Sequence, residues 1–237
     1  MKRAVTVGGA QLEYILIQSV RRDVMLQALP NGQTRVYALK GMRLKDIDDI
    51  VLKSFGELKE MHQKLDQRLD DARAKHPMTD GSRVAVEGEL KPLHVLRGEG
   101  KARIDETQIT VYASDPDDAE IVRAAVRRAL VDRMLIRLRE RLDYYAPKIG
   151  GTYGRVTVRE QRSRWGSCSS KRNLNFNWKL IMAPKPVLDY VVIHELCHLH
   201  EFNHSPRFWS LVEAQMPEYE VWKKWLKAHG EELGLGE

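Results

Sequence analysis

Residues 187–204 read VLDYVVIHELCHLHEFNH, and within them His194, Glu195 and His198 stand in the spacing H-E-x-x-H. Four residues of α-helix rise about 6 Å and turn about 400°, so imidazoles at that spacing project from one face. They can share one zinc ion, at about 2.0–2.1 Å from each nitrogen. Glu195 lies about 100° round the helix from His194 and cannot easily ligate beside both histidines. It can reach a water on the metal, take its proton and deliver that proton to a leaving group. The chemistry implied is metal-assisted hydrolysis.

A third protein ligand is needed, and His200, Glu201 and His204 compete for the place. His200 follows His198 by two residues, so a continuing helix points it to the opposite side. Glu201 stays on the correct face but about 7–8 Å along the axis from the metal, a long reach. His204 returns if the helix stops near residues 201–203 and the chain bends back. Asn203 tolerates a left-handed turn there, and Ser205-Pro206 then caps and starts another helix. This reasoning selects His204, with water in an open fourth position. The bland alternative makes the histidines core-edge residues and Glu195 a surface acid. The apolar run Val187, Leu188, Val191, Val192 and Ile193 argues against it, because it supplies the cover that a buried site requires. Tyr190, one turn before His194, is placed to line the pocket.

RSRWGSCSS (162–170) is the second unusual segment. Trp165 offers a rigid wall, Gly166 lets backbone approach closely, and Ser167, Cys168 and Ser169 add small polar groups. Lying between strand-like runs, it suits a sheet edge to which an extended peptide could add through backbone bonds. Arg162 and Arg164 could bind a substrate carboxylate or phosphate, or merely pair with local acids. Asn175 and Asn177 share one strand face, read as turned towards the cleft. Cys168 has no histidine partner apart from the metal ligands, so a thiol nucleophile is disfavoured. Arg164 and Tyr190 are candidates for a second oxyanion donor.

The elements that must position these groups follow from periodicity. YILIQSV (14–20) and VMLQALPNGQTRVYAL (24–39) read as strands, the latter a hairpin around Pro30-Asn31-Gly32. Leu44, Ile47, Val51, Ser54, Leu58, Met61 and Leu65 predict one amphipathic helix over 44–66, weakened but not ended by Gly56. VAVEGELKPLHVL (84–96) and ITVYAS (109–114) are further strands. Two units are expected to meet near 71–82 or 115–120. The favoured division puts a β-rich portion with one inserted helix at 1–115 and the catalytic core at 116–237. No internal repeat is evident. Val122, Val126, Leu130, Met134, Leu138 and Leu142 form an i,i+4 stripe flanked by Arg123, Arg127, Arg133, Arg137 and Arg141. That is read as a core helix with snorkelling arginines rather than a phosphate-binding surface. GRVTVRE (154–160) and NLNFNW (173–178) are strands, and Phe208, Trp209 and Trp222 are expected to pack behind the metal helix.

Composition narrows the rest. With 237 residues and 43% hydrophobic content the chain can build a real core. No run approaches the roughly 18 apolar residues of a membrane span, and no apolar segment of signal-peptide type follows the basic start. A cytoplasmic location without a membrane partner is expected. Cys168 and Cys197 are the only cysteines and make no disulfide framework. The formal charge of +6 is mildly basic, and without a Lys/Arg run a nucleic-acid partner is disfavoured.

RSRWGSCSS, LNFNWKL (174–180), DYVVIHELCHL (189–199) and NHSPRFW (203–209) together resemble the YgjP-like (DUF45) metallopeptidase-type family, akin in pattern to SprT-like proteins and minigluzincins. The resemblance implies an α+β fold, a β-rich N-terminal portion followed by a compact zincin-like core with an active-site HExxH helix. It assigns zinc (Zn2+) to His194, His198 and His204 and catalysis to Glu195. Metzincins share the histidine span but carry glycine where this chain has Glu201. Some family members are described as UTP pyrophosphatases, so a nucleotide substrate releasing UMP and pyrophosphate is an alternative. A non-enzymatic, metal-stabilised binding module is another. No Walker-type loop and no cluster of carboxylates for magnesium is present, which leaves a metallopeptidase acting on peptide or protein as the leading expectation.

Overall fold

A computed structural model describes residues 1–20, 23–161 and 164–236. The chain forms two compact units, one built on Met1–Lys75 and the other on His76–Leu235. The parting falls between Lys75 and His76 rather than at the 115/116 boundary favoured from the sequence, so the strands of 83–113 lie in the second unit.

In the first unit β1 (Lys2–Val7) pairs antiparallel with β2 (Ala10–Ser19), and β3 (Met25–Ala28) pairs antiparallel with β4 (Thr34–Leu39). The β3–β4 hairpin turns through a 3-10 segment at Pro30–Gly32, as the Pro-Asn-Gly signal predicts. β4 then runs parallel to β2, giving the order β1-β2-β4-β3. Tyr14, Leu16, Val36 and Ala38 alternate onto the buried face, where Ile47, Val51 and Leu58 of the helices join them. The single helix expected over 44–66 is two helices, α1 (Leu44–Lys53) and α2 (Phe55–Lys75). The break is at Ser54, which leaves helical geometry (φ −91°, ψ 11°) while its N–H still reaches Ile50 O at 3.0 Å. Gly56 lies inside the second helix and breaks nothing.

The second unit opens with β5 (Arg83–Val86), β6 (Glu89–Arg97), β7 (Arg103–Ile104) and β8 (Ile109–Ala113). Their order is β5-β6-β8-β7, with β6 and β8 parallel and both outer pairs antiparallel. This is the topology of the first sheet over again. The repeat is invisible to a scan for identical residues because it resides in pairing pattern, which many apolar alternations satisfy equally.

α3 (Ala119–Ile149) follows, and its stripe Val122, Val126, Leu130, Met134, Leu138 and Leu142 is buried throughout. Its start is capped by the Asp118 carboxylate, which accepts from Glu120 N at 2.9 Å and Ile121 N at 3.2 Å. Asp118→Ala is therefore expected to cost about 1 kcal/mol in urea unfolding; an unshifted midpoint would mean the cap contributes nothing. The arginines beside the stripe are paired. Arg133 and Arg137 meet Glu87 at 2.9 and 2.6 Å, Arg127 meets Glu160 at 2.8 Å, and Arg141 meets Asp189 at 2.5 Å. These arginines are thus engaged by acids, as the core-helix reading expects.

A three-stranded sheet carries the remaining motif. β9 (Val156–Arg159), β10 (Gly166–Cys168) and β11 (Leu174–Asn177) lie in the order β10-β11-β9. β11 is parallel to β9 and antiparallel to β10, which leaves β10 at an edge. Beyond it stand α4 (Lys185–Cys197), α5 (Pro206–Gln215) and α6 (Tyr219–His229). α4 packs against α3, β10, α5 and α6. No helix among the described residues is long and apolar enough to cross a membrane.

Candidate active site

α4 begins after Pro184, with Pro186 in its first turn where proline costs no hydrogen bond. Its apolar residues Val187, Leu188, Val191, Val192, Ile193, Leu196 and Cys197 are all buried, and its Asp189 is paired with Arg141. Neighbours thus fix it on every side, and His194 and Glu195 are carried into the protein interior.

The helix ends at Cys197, sooner than the 201–203 expected, and His198 is its C-cap. The last turn tightens, as Leu199 N bonds to Leu196 O and His200 N to Cys197 O, each at 3.0 Å. The chain then returns without a left-handed Asn203; among described non-glycine residues only Glu87 and Arg172 have positive φ. Asn203 acts through its side chain, whose Oδ1 accepts from Ser205 N at 3.2 Å. Ser205 caps α5 by accepting from Phe208 N. His204 is delivered to the site by this turn. His200 points elsewhere and meets Gly150 O at 3.0 Å.

His194, His198 and His204 place one nitrogen each within 4.8 Å of one another. The Nε2 atoms of His194 and His204 are 3.1 Å apart. Two ligands of a tetrahedral zinc, at about 2.0–2.1 Å from it, are separated by about 3.3 Å. The His194–His204 pair thus already has the spacing of such an ion, and His198 stands near enough to join it. His198 Nδ1 lies 2.9 Å from Glu201 O. Donation of that N–H to the carbonyl leaves Nε2 free for a metal. Glu201 therefore serves through its backbone, and its side chain is outside the cluster. Burial, aided by the other two histidines, pushes His194 down to about 3, and burial lowers His198 as well. Both rings are neutral at ordinary pH, the form that donates a lone pair to a metal.

Glu195 is 4% exposed. Burial raises its carboxyl to about 8, opposed by the Arg164 charge and by the backbone N–H of Cys168. Its Oε2 is buried without a hydrogen-bond partner among the described residues. Gly166 explains the close fit: a Cβ there would stand 2.6 Å from Oε1 and 2.7 Å from Cγ of Glu195. Gly166→Ala is expected to displace this carboxylate, lowering turnover at least about tenfold for a shift of some 1.4 kcal/mol in the barrier. Steady-state rates of zinc-loaded protein check this, and an unaltered kcat would show the fit to be slack.

A cavity of about 500 Å³ opens over these groups. Of the residues singled out from sequence, Arg164, Trp165, Ser167, Cys168 and Tyr190 line it. Arg162 lies outside the described residues. Asn175 is not a lining residue; its side chain joins the strands, accepting from Thr157 Oγ1 and donating to Ser167 Oγ at 3.3 Å. Asn177 is buried and donates to Gln161 O at 2.9 Å, so neither asparagine faces the cleft. Trp165 packs against Gly230, which follows α6, for a Cβ on that residue would meet its ring at 2.8 Å.

Phe202 and Leu226 also line the cavity. Phe202 could have been found from its place between two ligands. Leu226 arrives from α6 and leaves no local sequence signal. Phe208 and Trp209 do not sit behind the helix as expected. Phe208 stacks on His198 at 4.5 Å and Trp209 on His204 at 5.7 Å between ring centroids, so they orient the imidazoles. A family model described as YgjP-like, metallopeptidase domain, matches residues 22–229. No curated protein matches the chain.

Proposed function

The chain belongs to the YgjP-like metallopeptidase family, and from that membership we propose that it hydrolyses peptide bonds using one zinc ion held by His194, His198 and His204. The observation that carries the reading is three converging imidazoles beside one buried acid in a single cavity. Three nitrogen ligands, with no fourth in the cluster among the described residues, suit a catalytic rather than a structural ion. Zinc bound there would polarise a carbonyl and bring the pKa of a bound water towards about 7.

The protein's own groups supply the rest. The charge of a bound ion would oppose the burial that lifts the Glu195 carboxyl. Its ionised Oε2, the oxygen without a partner among the described residues, would take the proton of the attacking water and return it to the leaving nitrogen. Gly166 and the Cys168 N–H hold the other side of that carboxyl still. An extended substrate lies along β10, whose outer edge borders the cavity. Tyr190 projects from α4 one turn before His194, and burial pushes its phenol up to about 12, so it stays protonated and able to donate to an oxyanion. Trp165 and Leu226 exclude water from the apolar wall.

The test is a parallel assay of zinc-loaded protein on a denatured protein substrate and on UTP. New α-amino groups and no pyrophosphate are expected. Pyrophosphate release without new amines would overturn the peptidase reading in favour of a nucleotide hydrolase.

A further inference from the structure

We infer that Arg164 binds a carboxylate of the substrate beside the scissile bond, making the cleft selective for acidic peptides. This rests on the peptidase reading and names its substrate class. Arg164 lines the cavity and is exposed, yet no ion pair or hydrogen bond engages its guanidinium among the described residues. Arg133, Arg137 and Arg141 on α3 are each matched to an acid. An unmatched one at the mouth of a site is therefore a feature to explain.

Its backbone is well anchored. Asn177 Nδ2 donates to Arg164 O, and Asn177 N donates to Trp165 O at 2.8 Å, so the approach to β10 is fixed and the side chain starts from a set point. Among the described residues that line the cavity Glu195 is the one acid, and its carboxyl is already seated against Gly166. Arg164 acts on that group by charge without forming an ion pair. Two more cations stand close by. Lys223 Nζ lies 3.8 Å over the Trp209 ring and its charge is felt at His194, while that of Arg172 is felt at Cys168. The cleft thus presents positive potential, and the chain's +6 charge has the same sign. A planar guanidinium with free donors matches a carboxylate in two parallel hydrogen bonds. The backbone edge of β10 favours an extended peptide as its bearer. The carboxylate has two sources, an Asp or Glu side chain, or the free C-terminus of the peptide.

The experiment immobilises zinc-loaded Glu195→Gln protein and passes over it a proteome-derived peptide library, half of it C-terminally amidated. Retained peptides are identified by mass spectrometry. Peptides with Asp or Glu, or with a free terminal carboxylate, are expected to be enriched about tenfold, the scale of one charge-assisted pair. The amidated half tells the two sources apart. Arg164→Gln in the same background should abolish the enrichment, and Arg164→Lys should restore only part of it. Equal retention of neutral and acidic peptides, no retention, or enrichment unchanged in Arg164→Gln would overturn the inference. So would UTP binding that depends on Arg164 without any acidic preference among peptides. Hydrolysis by the unsubstituted protein is scored separately. Acid-selective retention without hydrolysis would sink the peptidase reading and keep Arg164 as a carboxylate site; unselective hydrolysis would do the reverse.

Discussion

Glu195→Gln is expected to lower peptide hydrolysis by about 10²–10⁴-fold, the range contributed by a positioned proton-transfer group, while zinc stays bound at one equivalent. The substitution conserves size, which matters because Gly166 leaves no slack around the side chain. The Cys168 N–H already donates to this group. It will hold the amide with its oxygen inward, so the NH₂ takes the place of Oε2. A donor then stands where a proton acceptor is needed. The three imidazoles are untouched, so metal analysis and hydrolysis rates should separate cleanly. Activity retained within a factor of about three, well inside the effect of a general base, would move the proton work to some other residue.

Replacing His204 by alanine should instead remove activity and metal together. Loss of a mere supporting partner costs about 10–100-fold in metal affinity, so loss of a direct ligand should lie at or beyond the upper end. His204 is exposed and sits in a turn, whereas α4 is buried along its length by apolar contacts. The fold therefore does not hang on the ion. His204→Ala and chelator-treated protein are both expected to keep their helical circular dichroism and to melt cooperatively. Unfolding on chelation would point to a structural metal and a binding module, because such domains gain their folding energy from the ion.

The centre was legible in the sequence because its geometry is local. A four-residue helical step joins His194 to His198 whatever surrounds it, and the return of His204 needs only a short turn. Gly166 could be singled out because glycine beside tryptophan and small polar residues marks a close approach. What the sequence did not disclose depends on distant partners. The helix stops at Cys197 because the chain tightens into the turn that ends at Ser205. Asn175 and Asn177 share a strand face as expected, but only the pairing of β11 between β9 and β10 determines that this face is used for cross-strand bonds. Leu226 reaches the cavity from α6, and the break at Ser54 lies inside a pattern whose period never falters. The doubled sheet topology escaped for the same reason: strand order is a property of partners, not of segments.

β10 carries one more consequence. Trp165 O and Ser169 N are bonded to Asn177 and Asn173 of the neighbouring chain stretch, and Ser167 faces Asn175 in register. The amides and carbonyls of Gly166 and Cys168 therefore turn outward, and the Cys168 amide is committed to Glu195. A guest strand finds one complete donor–acceptor rung, at Gly166, and a lone acceptor beyond it. Slipping the guest by one residue forfeits that rung while a two-residue step restores it, so a single residue without a side chain sets which alternate guest residues turn towards the cleft.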